Sequence, residues 1–304
     1  ELKDLQDQCF SAFAYSNPLH ADVFPCIRQM ESEVCSMVVN MYNGTKDSCG
    51  FTTSGGTESL LLAMRAYRER GRVLHGITNP EIIVADSAHA AFWKAGEYFK
   101  IKVRSIPVCK KTGKADLKKM ARAINSNTVC MAVASPSYPQ GIVDDVPEAS
   151  RIALKHKIPL HVDACLGGFV VPFMHSAGFK DFPIVDFRNP GVTSISCDTH
   201  KYGNCPKGTS VIMWRSRELR RFQYSAHPEW AGGMYVTPTI AGSRPGVLIA
   251  ATWVTMVYYG YKGYVELTRK IVKAARRLAE EAHKIPEIDV MYKPQCSVVA
   301  FSCK

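Results

Sequence analysis

Several things are missing from this 304-residue sequence. No apolar run is long enough to cross a bilayer. The longest, Val247 to Tyr259, is interrupted by Thr252 and Thr255 and falls far short of the roughly 20 apolar residues that a spanning helix needs. No pair among the eleven cysteines has the CxxC spacing of a zinc or redox site, and no HxH or HExxH pattern occurs. A metal site is therefore not expected. Acidic residues are in the minority: 27 Asp and Glu against 38 Lys and Arg leave a net charge of +11. There is no repeat and no low-complexity segment. No signal peptide opens the chain, and a start on Glu1 rather than Met is the mark expected of a truncated or processed chain.

What is present is the composition of an ordinary folded protein, 46% apolar and 21% charged. That excludes a disordered tail, a collagen-like fibre and a coiled coil. The scattered cysteines read as free thiols. Several lie in apolar runs, such as Cys130 in TVCMAVA, where a thiol behaves as a small buried hydrophobe and suits a reducing compartment. The positive charge favours an anionic partner: a phosphorylated substrate, a membrane surface or nucleic acid. Its densest stretch is 262–284, where Val265, Ile271, Val272, Ala275 and Leu278 recur at helical spacing. A solvated amphipathic helix accounts for that stretch equally well. No recognised nucleic-acid module or basic–aromatic patch occurs, so nucleic acid is not an expected partner.

Residues 1–45 are mixed, with a turn-like SNPLHADVFP at 16–25. From residue 51 strands and helices alternate. Helices are expected over 57–70 (with Gly71 as the stop), 87–99, 115–124 and 146–157. Short apolar strands are expected over 81–86, 101–108, 128–135, 158–164, 192–197 and 209–214. This is the pattern of an α/β fold, a mostly parallel sheet flanked by helices. The last 20 residues read as two strands that begin a small C-terminal α+β domain, cut short. The expected division is an N-terminal segment 1–45, a large domain 46–260 and the start of the small domain, 261–304.

Ligands bind such sheets beyond the carboxyl ends of the strands. Ser87 and His89, Ser135 to Gln140, Asp163 and Cys165, and Asp198, His200 and Lys201 all follow strands. In FTTSGGTESL two glycines and Thr57 open a helix, where free N–H groups and the helix dipole suit a phosphate. No Gly-Lys-Ser/Thr follows, so this is not a Walker loop. A phosphate loop, an Asp and a Lys in that order fit pyridoxal phosphate: the Lys as Schiff-base lysine, the Asp as partner of the protonated ring nitrogen.

SGGTES, SAHAAF, HVDACLGGF, SISCDTHKYG, PKG and AGSRPG, in that order, closely resemble the sphingosine-1-phosphate lyase family, and the similarity runs from NPLHADVFP to beyond Gly263. The resemblance implies the fold of the type I pyridoxal-phosphate enzymes and pyridoxal 5'-phosphate as cofactor. It implies retro-aldol cleavage of a phosphorylated sphingoid base to a long-chain aldehyde and phosphoethanolamine. It implies a homodimer with active sites at the subunit interface. For a eukaryotic source it implies anchorage on the endoplasmic reticulum membrane by a segment not in this chain, facing the cytosol, and otherwise a cytoplasmic place. By motif, Lys201 is the Schiff-base lysine, Asp163 the ring-nitrogen partner and His89 the residue stacked on the ring. Gly56, Thr57 and His200 contact the cofactor phosphate. His20, Lys207 and Tyr235 lie near the substrate, with Arg244 a further candidate. One position departs: Gln140 stands where the family commonly has His, and Gln cannot titrate near neutral pH. His161 reads as a structural neighbour of Asp163. The alternatives are an amino-acid decarboxylase of the same fold, a β-hydroxy-amino-acid aldolase and an inactive lipid-binding homologue.

Overall fold

The computed structural model describes residues 1–304. Two helices come first, α1 (Leu2–Phe13) and α2 (Pro25–Met41). Then follow β1 (Cys49–Thr53), α3 (Gly56–His75), β2 (Glu81–Ala85), α4 (Ala91–Phe99), β3 (Lys102–Ile106) and α5 (Leu117–Ala123). The alternation continues with β4 (Thr128–Ala134), α6 (Val146–His156), β5 (Leu160–Asp163), β6 (Val192–Cys197) and β7 (Ser210–Trp214). A short α7 (Arg217–Arg220), a hairpin of β8 (Ser225–His227) and β9 (Tyr235–Thr237), and a long α8 (Gly246–Ala282) come next. The chain closes with the antiparallel pair β10 (Ile288–Val290) and β11 (Phe301–Cys303).

Strands β1 to β7 form one sheet in the order β1-β7-β6-β5-β4-β2-β3. Neighbours from β6 to β3 are parallel, and β7 runs against both β6 and β1. Strands β2, β4, β5, β6 and β7 are almost entirely buried because helices cover both faces, while the edge strand β3 is partly exposed. Alternation sends Ile83, Met131, Val133 and Met213 to one side, beneath α2, α5, α6 and α8. It sends Ile82, Val84, Ile212 and Trp214 to the other, beneath α3 and α4. No helix is long and apolar enough to cross a membrane.

The structure corrects one expected boundary. Gly71 does not stop α3, which runs on to His75. A Cβ at Gly71 would stand 2.7 Å from Val129 Cγ1, so this glycine lets the helix lie close on β4. The stop is Gly76, whose φ of 64° is a left-handed cap that glycine adopts without strain. Residues 1–45, read as mixed, hold two helices. Helix α8 is interrupted at Gly260 (φ 56°, ψ −177°).

Candidate functional site

Strands β1, β2, β5 and β6 all point their carboxyl ends to one edge of the sheet, and a cleft of about 330 Å³ opens there. Helix α3 begins in it. Gly55 takes a φ of 154°, open to glycine, and turns the chain so that the N–H groups of Gly56, Thr57 and Glu58 find no acceptor in the protein. They are the unpaired donors of a helix start and face the cleft.

Lys201 follows β6 in a turn. Its Nζ lies 2.9 Å from Asp198 Oδ2, with Asp198 only 2% exposed. The other oxygen, Oδ1, is buried with no hydrogen-bond partner. Burial alone would lower the Lys201 pKa, but the Asp198 charge overrides it and the net shift is upward. A Cβ on Gly56 would come within 2.8 Å of Asp198 Oδ1 and of Cys165 Sγ. Only glycine leaves carboxylate, thiol and helix start room to meet.

His200 Nδ1 accepts from the Thr209 N–H at 3.2 Å, and its Nε2 stands 3.6 Å from Asp198 Oδ2. Burial is the main reason that its pKa falls below the ordinary value. His89 Nδ1 accepts from the Ala91 N–H at 3.1 Å, which fixes the ring at the entry to α4. Asp163 ends β5 one layer deeper and is buried. Its Oδ1 accepts from the Cys165 N–H at 3.0 Å. Burial pushes this carboxyl up, while that N–H bond and the nearby His89 pull the other way.

His161 is fully enclosed. It bonds Ser194 Oγ at 2.7 Å and Ser196 Oγ at 3.2 Å and meets the Phe92 ring edge-on. Burial depresses its pKa to about 3, so it stays neutral and structural.

Gly56, Thr57, His89, His200 and Lys201 thus line one cleft, with Asp163 behind it. His20, Lys207 and Tyr235 stand outside its lining. Lys207 Nζ donates to the His200 carbonyl at 2.8 Å. His20 is exposed, on a loop that Asn17 ties to Ser243 and Arg244. Tyr235 packs edge-on to Trp230. Gln140 reaches no further than Ser137 Oγ, at 3.5 Å. Arg244 is committed elsewhere: it is 11% exposed and forks onto Glu31, itself 2% exposed.

From the sequence Asp198 stands out only as a residue after a strand, and its role as counter-charge to Lys201 does not. The signal was there, an acid three residues before the lysine in DTHK, but it carries weight only once the turn is known.

Residues 7–304 match the family model of the pyridoxal-dependent decarboxylase conserved domain. The chain belongs to the pyridoxal-dependent decarboxylase family. The family's cofactor, pyridoxal phosphate, fits the cleft: a lysine, an anion-ready helix start, a buried carboxylate behind them and an unpartnered carboxylate oxygen within. Among curated members, sphingosine-1-phosphate lyase of Saccharomyces cerevisiae is 49% identical over 100% of this chain and 52% of its own length. Sphingosine-1-phosphate lyase 1 of Rattus norvegicus is 47% identical over 99% and 52%. The chain spans about half the length of the curated relatives it matches. A solved lyase of that name from Burkholderia pseudomallei superposes with a TM-score of 0.96 at 38% identity, over 100% of this chain and 71% of that one. Glutamate decarboxylase of Lactobacillus brevis shares the fold, with a TM-score of 0.86 at 19% identity over 98% of this chain and 70% of that one.

Proposed function

We propose that this chain carries the cofactor-binding part of a pyridoxal-phosphate lyase that cleaves phosphorylated sphingoid bases to a long-chain aldehyde and phosphoethanolamine. The observation that carries the reading is whole-chain identity of 40–49% to lyases of that name, where glutamate decarboxylases share the fold at 17–19%. When bound, the cofactor supplies an electron sink for the carbon left behind as the C2–C3 bond opens.

The chain's own residues do the rest. Lys201 is the amine that would hold the cofactor and give way to the substrate amine. Asp163 would keep a proton on the ring nitrogen, and His89 would cover the ring. The N–H groups at the start of α3, with Thr57 and His200, take the phosphate. His20, Lys207 and Tyr235 serve the substrate. The base that takes the C3 hydroxyl proton is one of His20, Tyr235, Lys201 and the substrate phosphate, and such help is worth roughly 10²–10⁴-fold. A homodimer is part of the proposal. It is supported by the exposed apolar side chains of Trp230, Met234 and Ile240, on the chain that links β8 to α8. So is a membrane-surface location at the endoplasmic reticulum for a eukaryotic source.

The test is spectroscopic. Full-length protein is mixed with pyridoxal phosphate beside Lys201→Ala, and sphingosine 1-phosphate is then added. A visible band in the wild type alone, followed by aldehyde, is the expected result. A band without aldehyde favours an amino-acid decarboxylase, the reading that the glutamate decarboxylase fold supports. No band from folded protein leaves the inactive lipid-binding homologue.

A further inference from the structure

A second concavity, about 370 Å³, lies between α2 and α7 over the exposed edge of β1. Arg28, Arg217 and Arg220 stand on its walls. The carboxylate at its floor is Glu31, and it is already shared. Arg28 reaches it at 2.5 Å, Arg244 forks onto both its oxygens and Thr52 bonds it as well. Glu218, beside Arg217 on α7, is exposed and pairs with neither wall arginine. Arg217 and Arg220 have no carboxylate of their own, and the Arg220 guanidinium lies over the Tyr224 ring.

Burial pushes both the Cys35 and Cys49 thiols up, with the Glu31 charge adding to it at Cys35; the arginines pull the other way, Arg244, Arg220 and Arg28 on Cys35, and Arg220 and Arg217 on Cys49. Both thiols line the same concavity. Guanidinium forks match phosphate oxygens two at a time, and Ser32 and Asn40 add polar groups to the wall.

We propose that this cleft binds a phosphate monoester through Arg28, Arg217 and Arg220, independently of the Lys201 cleft. Such an anion relieves the mutual repulsion of three guanidiniums that one shared carboxylate leaves unbalanced. The volume admits a phosphate with a small organic group attached. The proposal does not depend on which reaction the Lys201 cleft performs.

Cys49 reports occupancy. The full-length protein is loaded with pyridoxal phosphate, freed of excess and treated with iodoacetamide, with and without inorganic phosphate. Alkylation is followed peptide by peptide, with exposed Cys303 as internal control. Phosphate is expected to slow Cys49 alkylation about tenfold at ten times its Kd, with Cys303 unchanged. Arg217→Ser/Arg220→Ser is expected to lose the protection while keeping the visible band of the loaded protein, which shows that it has folded. Vesicles containing phosphatidic acid run in parallel: protection by these and not by inorganic phosphate assigns the same chemistry to a lipid head group. Cys49 alkylated equally fast in every case, or protection that survives in the double variant, overturns the proposal.

Discussion

Replacing Asp198 by Asn removes the charge 2.9 Å from Lys201 Nζ and keeps the shape of the side chain. The size of the effect follows from the setting. Two unit charges 4 Å apart interact by about 1 kcal/mol in water and about 4 kcal/mol at the effective dielectric near a protein surface. Lys201 is 30% exposed, which places the pair between these limits. At about 1.36 kcal/mol per factor of ten, losing the pair multiplies the share of neutral amine about 5- to 800-fold. The sign is fixed: burial lowers this pKa and the Asp198 charge and hydrogen bond raise it, so their loss moves it down, with only the Cys165 and Asp163 charges left to oppose burial. An amine must be neutral to attack an aldehyde, so Asp198→Asn captures the cofactor faster at low and neutral pH. The pH profile of capture moves to lower pH. Stopped-flow growth of the visible band after mixing apoprotein with pyridoxal phosphate measures it, with Lys201→Ala as blank. The cofactor's own titration is common to both proteins and cancels in their ratio. Superimposable profiles for wild type and variant would refute the reasoning.

Other perturbations test other parts of the argument. Glu31→Gln strands the Arg244 guanidinium in the interior and lowers stability by about 3–5 kcal/mol, read as a lower urea midpoint. Glu31→Gln/Arg244→Met recovers much of the loss, and a double variant no better than the single one contradicts the ion-pair account. Asp144 accepts the N–H of Ala115 at 2.7 Å and of Ala134 at 2.8 Å. Asp144→Ala leaves both donors buried and unpaired and costs about 2–4 kcal/mol. His161 has a pKa depressed by burial from 6.5 to about 3. Below pH 6.5 the unfolded chain takes a proton that the folded protein refuses, so stability falls with pH from there towards 3. His161→Gln should flatten that slope in thermal melts at graded pH.

Six of the seven strands of the sheet were legible, most of them because they are buried on both faces and read as short apolar runs; β1, with Gly50 and two threonines in CGFTT, was not. VTSISC is a strand from its first residue to its last, as expected. The N-terminal helices were not legible for a physical reason. Helix α1 has no buried residue of its own pattern to display and packs on α8 through contacts more than 200 residues away, such as Gln6 with Thr255. Gly71 misled because a glycine within a helix and a glycine ending one look alike until the packing against Val129 is known. At the cleft, Lys201, His89, Gly56 and His200 were legible from motifs. The Asp198 pairing and the capture of Arg244 by Glu31 depend on turns and long-range approach, which no local pattern encodes.

The Lys201 cleft draws on residues from Ser54 to Lys201, and the end of β1 joins those of β5 and β6 in one sheet only once β7 has slotted between β1 and β6. Such distant pairings form late and slowly. The cleft therefore does not exist in any partly built sheet, and a cofactor that enters it favours the finished state over all earlier ones. At a hundred times its Kd that preference is about 2.7 kcal/mol. Vitamin supply and chain maturation are coupled through this one edge of the sheet: a lesion anywhere in its central strands shows itself first as protein that fails to take colour.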